Sequence, residues 1–225
     1  NVDPENFAGN ESGTLVMLNA GAYNVTEDEF SGYATTLSAN CTGSIGIGEE
    51  KTCTVTNNDK PAAIFGMKFK DDNGNGIKDI GDVGLANWTI NMGGDAIAST
   101  KTDADGNYAF TNLSAGIYDV NETLKTGWIQ TTAPLIYSIE LSVGENSTGN
   151  DFGNFKLGRV SGNKFNDLNG DGIWQEETEP ALENWTIILT YPNGTIVQQQ
   201  TDSDGHYIFR NLTYGNYTVS EEVKE

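Results

Sequence analysis

The chain has a single histidine, His206, and two cysteines, Cys41 and Cys53, among 225 residues. A Ser-His-Asp or Cys-His centre would have to rest on that one imidazole, and a His/Cys zinc site is short of ligands. Carboxylates are plentiful, but no nucleophile–base pair has a third group to orient it, so an enzyme is not expected. Cationic side chains are scarce: 12 Lys and Arg face 32 Asp and Glu, for a net charge of −20. A field of that sign repels phosphate backbones and attracts cations, which argues against nucleic acid as a partner. No apolar run approaches the ~18 residues of a membrane helix. A secretory signal and a C-terminal anchor are also absent, so a processed protein or an excised segment is expected. Apolar residues make up 36%. That is lean for one large core and suits several thin sandwiches, each strand with one buried face.

What is present repeats. Residues 102–122 read TDADGNYAFTNLSAGIYDVNE and residues 201–221 read TDSDGHYIFRNLTYGNYTVSE. A weaker copy ends at LNAGAYNVTE, residues 18–27. Upstream of the two strong copies lie KFKDDNGNGIKDIGDVGLANWTI and KFNDLNGDGIWQEETEPALENWTI. The period is a little under a hundred residues, which predicts units at 1–60, 61–157 and 158–225. The first holds the back part of a unit, the second a whole unit, and the third a front part lacking its last strands. Both ends therefore look cut from a longer array, or completed by strands from elsewhere, because a sandwich missing strands exposes an apolar edge.

Within a unit the period is two. Tyr108 and Phe110, then Tyr118 and Val120, alternate with small or polar residues. The Asp105-Gly106 and Asp204-Gly205 pairs suit tight turns, in which glycine takes the positive φ. About seven short strands per unit give an all-β fold of tandem small antiparallel sandwiches set end to end.

The frame T-D-x-D-G-x-Y-x-F-x-N-L-x-x-G-x-Y-x-V-x-E follows D-x-N-x-[DN]-G-I and precedes G-W-x-Q-T and D-F-G-N-F. It closely resembles the SdrD-type B repeats, relatives of the collagen-adhesin B domain with a prealbumin-like fold. The resemblance covers 61–225, and 18–60 more loosely. It implies a rigid, calcium-binding stalk module of bacterial and archaeal surface proteins.

The acidic loop agrees with that implication. Asp71, Asn73, Asn75, Asp79 and Asp82 fall at positions 1, 3, 5, 9 and 12, with Gly76 at the bend and the Ile77 carbonyl at 7, a wrap of oxygens suited to Ca²⁺. The second copy offers Asp167, Asn169, Asp171, the Ile173 carbonyl and Glu179, with either Gln175 or Glu176 at the ninth place; Glu176 is the carboxylate of the two. Polar turns without metal are the bland alternative for both loops.

Cys41 and Cys53 are expected to form a disulfide local to the first unit. N-x-[ST] sequons at Asn10, Asn24, Asn40, Asn87, Asn112, Asn121, Asn146, Asn184, Asn193, Asn211 and Asn216 make surface glycans an expectation. Some collagen-adhesin B relatives carry an intramolecular isopeptide bond, for which this chain offers Lys68, Glu122 and Asn154. Alternation turns Glu122 inward with Tyr118 and Val120, but Lys68 outward, opposite Met67 and Phe69, which leaves the lysine solvated. Trp174 is the best exposed aromatic candidate for a sugar platform, although it more readily packs over its loop. His206 is expected to face solvent.

The reading is an extracellular structural protein of stalks, filaments, sheaths or surface layers, stiffened by calcium. It would associate with itself or with neighbouring repeats of a longer chain, and possible glycan partners remain. An adhesin or carbohydrate-binding accessory module is the alternative.

Overall fold

The computed structural model describes residues 2–3 and 6–223. The described residues are all-β apart from one short 3-10 helix, Ala39–Cys41. The leading strands are β1 (Val2–Asp3), β2 (Met17–Leu18), β3 (Gly21–Asn24), β4 (Tyr33–Leu37), β5 (Thr42–Ile45) and β6 (Val55–Asp59). Next come β7 (Ala62–Lys70), β8 (Thr89–Gly94), β9 (Ala98–Lys101), β10 (Asn107–Leu113) and β11 (Gly116–Glu122). They are followed by β12 (Trp128–Gln130), β13 (Tyr137–Leu141), β14 (Asn146–Ser147) and β15 (Phe152–Lys156). The last are β16 (Gly158–Asn163), β17 (Thr186–Thr190), β18 (Ile196–Gln200), β19 (His206–Leu212) and β20 (Thr218–Glu221).

By packing, the chain falls into two compact units: residues up to Ile64 with Phe110–Ile117 and Glu140–Ser147, and Phe65–Ala109 with Tyr118–Ile139 and Thr148–Glu225. This division cuts across the 61–157 repeat. The second unit buries Phe69, Trp88, Ile90, Met92, Tyr108, Tyr118, Val120 and Phe152, while the first buries Ile64, Phe110 and Leu141. Each such apolar side chain is worth roughly 1.5–3 kcal/mol of burial.

The whole repeat is built of two sheets, ordered β10-β7-β15-β12 and β13-β11-β8-β9. Most pairs are antiparallel, as the two-residue period predicts. The first and last long strands, β7 and β15, instead run parallel, with Phe152 opposite Lys68 and Asn154 opposite Lys70. In the last repeat β16 pairs with β19, and β17 lies between β18 and β20. Ile187, Leu189, Phe209 and Leu212 form its core. Among the described residues the leading segment has two-stranded ladders only, β1 with β2, β3 with β5 and β4 with β6. Every residue of β4 and β6 is exposed.

The repeated sequence frame has a local cause. Thr102 Oγ1 accepts from the Trp88 amide at 2.9 Å and donates to the Leu85 carbonyl at 2.5 Å. Thr201 does the same between Trp185 and Leu182. Asp103 Oδ1 accepts the amides of Asp105 and Asn107, and Asp202 those of Asp204 and His206, which fixes each turn. Gly106 takes φ +85, and a Cβ there would lie 2.2 Å from the Lys68 carbonyl. The turn can thus press on the lysine strand only as glycine.

Candidate functional site

Lys68 lies on β7 two residues beyond Gly66 and four beyond Ile64, so strand alternation from that buried isoleucine carries it inward. Its side chain is 0% exposed. The outward placement expected from its neighbours is therefore corrected. Phe69 is buried too, on the opposite face, because the 71–84 loop returns to it through a bridge with Gly84. A strand covered on both faces cannot reveal from its apolar residues which face is the core.

Lys68 Nζ sits 2.9 Å from Glu122 Oε2, donates to the Phe152 carbonyl at 3.0 Å, and lies 4.8 Å from the Trp88 ring centre. Glu122 is 2% exposed and comes from the end of β11. Asn154, on β15, is fully buried, and neither atom of its carboxamide has a hydrogen-bond partner among the described residues. Asn154 follows Phe152 by two residues and so shares its face. Burial pushes the Lys68 amine down to about 8, against the pull of Glu122 toward the charged form. The Lys68–Glu122 pair is covered by Trp88, with Trp128 edge-on at 5.3 Å, and the buried Asn154 carboxamide lies on the same face of the neighbouring strand, two residues beyond the Phe152 that pairs with Lys68. Leaving a buried amide unpaired costs roughly 1–3 kcal/mol, so this pocket is not built for stability alone.

The two acidic loops have matching architectures. Asp71 accepts the amides of Gly74, Asn75 and Gly76 at 2.7–3.2 Å. Burial raises its carboxyl, but the Thr131 hydroxyl and those amides outweigh this and hold it below the ordinary value. Asp79 Oδ2 accepts both side-chain amides, from Asn73 and Asn75, at 2.8 Å. Asp82 accepts the amides of Asp72 and Asp79. In the second loop Asp167 accepts the amides of Gly170, Asp171 and Gly172, and these bonds, led by that from Gly172, depress its carboxyl. Asn169 and Asp171 bond to Gln175, and the Gln175 amide donates to Glu179, as Asp79 does to Asp82. Gln175 therefore takes the ninth place, and Glu176 is exposed outside the ring of bonds.

The oxygens a Ca²⁺ would take are those of Asp71, Asn73, Asn75, Asp79 and Asp82 with the Ile77 carbonyl, and those of Asp167, Asn169, Asp171, Gln175 and Glu179 with the Ile173 carbonyl. Among the described residues no three of His, Cys, Asp and Glu converge as a metal cluster.

The other expected residues are placed as follows. Cys41 and Cys53 form a disulfide with an S–S distance of 2.07 Å. The sequon asparagines are exposed except Asn121, which is half-buried and accepts from Asn91. Asn87, Asn112, Asn184 and Asn211 have φ of 55–59°, a left-handed conformation that asparagine tolerates, so the turns themselves call for it. Trp174 is half-buried, stacks on Phe165 at 5.7 Å and donates to the Glu179 carbonyl. His206 is half-buried beside Asp202. No described helix is long and apolar enough to cross a membrane.

The sequence matches the model of the SdrD B-like domain over residues 62–148 and 158–225. The chain belongs to the SdrD B-like domain family. Serine-aspartate repeat-containing protein D of Staphylococcus aureus (strain MSSA476) is 35% identical over 97% of this chain and 18% of its own length. Protein F of the same name in Staphylococcus epidermidis is 30% identical over 92% of this chain and 14% of its own. The chain thus spans less than a fifth of these relatives. Solved structures with a similar fold include the Bacillus anthracis TIE protein, with a TM-score of 0.40 and 22% identity, covering 81% of this chain and 32% of that one. The Lactobacillus rhamnosus GG shaft pilin gives 0.37 and 12%, covering 74% and 89%. This SdrD B-like chain is an extracellular, cell-surface structural domain of the adhesin-related kind.

Proposed function

We propose that this SdrD B-like chain is a load-bearing stalk, filament, sheath or surface-layer segment whose whole repeat is locked by an isopeptide bond between Lys68 and Asn154. The observation that carries the reading is the buried Lys68–Glu122 pair beside an Asn154 carboxamide without a partner. In the reaction the neutral Lys68 amine attacks Asn154 Cγ. The new Nζ–Cγ bond forms, the Cγ–Nδ2 bond breaks, and ammonia leaves with a proton relayed from Nζ by the Glu122 carboxyl. No oxidant or cofactor enters. A desolvated lysine is the right nucleophile because burial favours its uncharged form.

The bond would tie β7 to β15, the two parallel strands through which load enters and leaves the repeat. Calcium is the second stiffening element in this reading. When bound, the ion would hold each acidic loop closed by its charge, while Asp71 and Asp167 keep the loops in shape through their amide bonds. Trp174, the aromatic candidate of the adhesin alternative, is half-buried and stacked on Phe165.

Single-molecule pulling on the two ends tests the reading. Residues between Lys68 and Asn154 should release no length at any force that leaves covalent bonds intact, and their release in a stepwise unfolding event would refute it.

A further inference from the structure

The chain's two arginines, Arg159 and Arg210, stand directly opposite one another on β16 and β19. Val160 and Phe209, the next pair along, turn into the core, so alternation sets both guanidinium groups on the outer face of the ladder. Both residues are exposed, and among the described residues neither guanidinium has an ion pair or a hydrogen bond. Like charges directly opposite on a ladder destabilise it, and no carboxylate on either strand offsets these two. The repeat frame does not call for them, because the same positions in the whole repeat hold Ala63 and Thr111. In a chain with 32 Asp and Glu, this face is locally cationic.

Beside the arginines lies an open edge. Among the described residues β19 has β16 on one side and no strand on the other, and β18 likewise ends its own sheet. Their counterparts in the whole repeat, β10 and β9, end their sheets in the same way, so both edges belong to the repeat fold. The Ile208 amide points to the free side of β19, where it donates to Gln199 Oε1 at 3.1 Å. A side chain of β18 thus stands where a strand would bond. Arg210 lies two residues on and turns its own amide and carbonyl the same way. Between the two edges opens a groove of about 300 Å³, lined by Tyr191, Val197, Gln198 and Phe209, with Arg210 beside them. β18 reads IVQQQ, with no charge and no proline to keep another strand away.

We infer that an extended acidic polypeptide segment adds as a strand along the free edge of β19, with its carboxylates on the outer face against Arg210 and Arg159. Main-chain bonds to Ile208 and Arg210 supply affinity, and Gln199 moves off the Ile208 amide to admit them. Side chains of an added strand alternate between the faces. Acidic residues beside the arginines therefore set their neighbours into the groove, against Phe209, Val197 and Tyr191, where apolar residues fit. The partner is a strand in which acidic and apolar residues alternate. A polysaccharide or polyphosphate brings the charge without the main-chain amides or the apolar side chains. The surface is independent of the Lys68–Asn154 bond.

Fluorescence anisotropy and amide hydrogen exchange of the full chain test the surface, with a short labelled peptide of alternating Asp and Val as the probe. The peptide is expected to bind, to weaken as salt rises, and to slow exchange at the amides of Ile208 and Arg210. Arg159→Gln and Arg210→Gln, both at exposed positions, should each weaken binding roughly two- to fivefold, and together by about tenfold. The same peptide with Lys in place of Asp, or methylated at every amide nitrogen, should not bind. No binding by the Asp-Val peptide would overturn the inference, as would binding that the double variant leaves unchanged or that leaves those two amides unprotected. Equal binding of dextran sulfate would assign the face to polyanions in general and overturn the added strand.

Discussion

Asn154→Ala removes the electrophile and leaves every other member of the pocket in place. A bond from Lys68 to Asn154 closes a loop of roughly ninety residues, and by the chain-entropy model for crosslinks it contributes about 4–5 kcal/mol. The substitution also deletes two buried amide atoms that have no partner, so the change in native packing is small beside that figure. For a domain of about a hundred residues each kcal/mol moves Tm by about 4–8 °C, which predicts a fall of roughly 20 °C or more.

The variant should also acquire a pH dependence that the wild type lacks. Its free Lys68 amine titrates at about 8 when folded against 10.5 when unfolded. Between these values the unfolded chain binds the extra proton, so stability rises with pH from about 8 to about 10.5, by about 3 kcal/mol in all. Below pH 8 the full cost of the buried charge is present. Calorimetry of both proteins across that range checks the argument. A variant that melts within a few degrees of wild type, or that weakens as pH rises, would refute the reasoning.

Glu122→Ala should block the bond and also strand a buried amine without its partner, costing about 3–5 kcal/mol beyond the loss of the crosslink by equilibrium denaturation. A chelator should lower the melting midpoint of the wild type, and calcium at a hundred times its Kd should restore about 2.7 kcal/mol; an unchanged midpoint would remove calcium from the account. Asp71→Asn and Asp167→Asn should each shrink that response. Cys41→Ser opens a loop whose cysteines are 12 residues apart and should cost about 3 kcal/mol, confined to the leading segment and read by hydrogen exchange there.

The repeat, the strands and the turn chemistry were legible in the sequence because each rests on short-range physics. Thr102 and Thr201, with Asp103 and Asp202, explain their frame by hydrogen bonds within some twenty residues. The disulfide was legible from its context. The orientation of Lys68 was not, because Phe69 is buried on the outer face by a returning loop, so both faces of β7 read as core. An earlier anchor, Ile64, would have given the right phase. The ninth place of the second loop was also hidden, since one inserted residue makes Gln175 and Glu176 equivalent in spacing until the Glu179 bond separates them. The parallel pairing of β7 and β15 is a contact across more than eighty residues, and no local period encodes it.

The measurement closest to the central claim is the intact mass of the wild-type chain after denaturation and reduction, followed by fragmentation. The account predicts a mass short of at least one ammonia, with the Lys68 and Asn154 peptides joined. A chain at its full polypeptide mass, with both peptides recovered free, would contradict it.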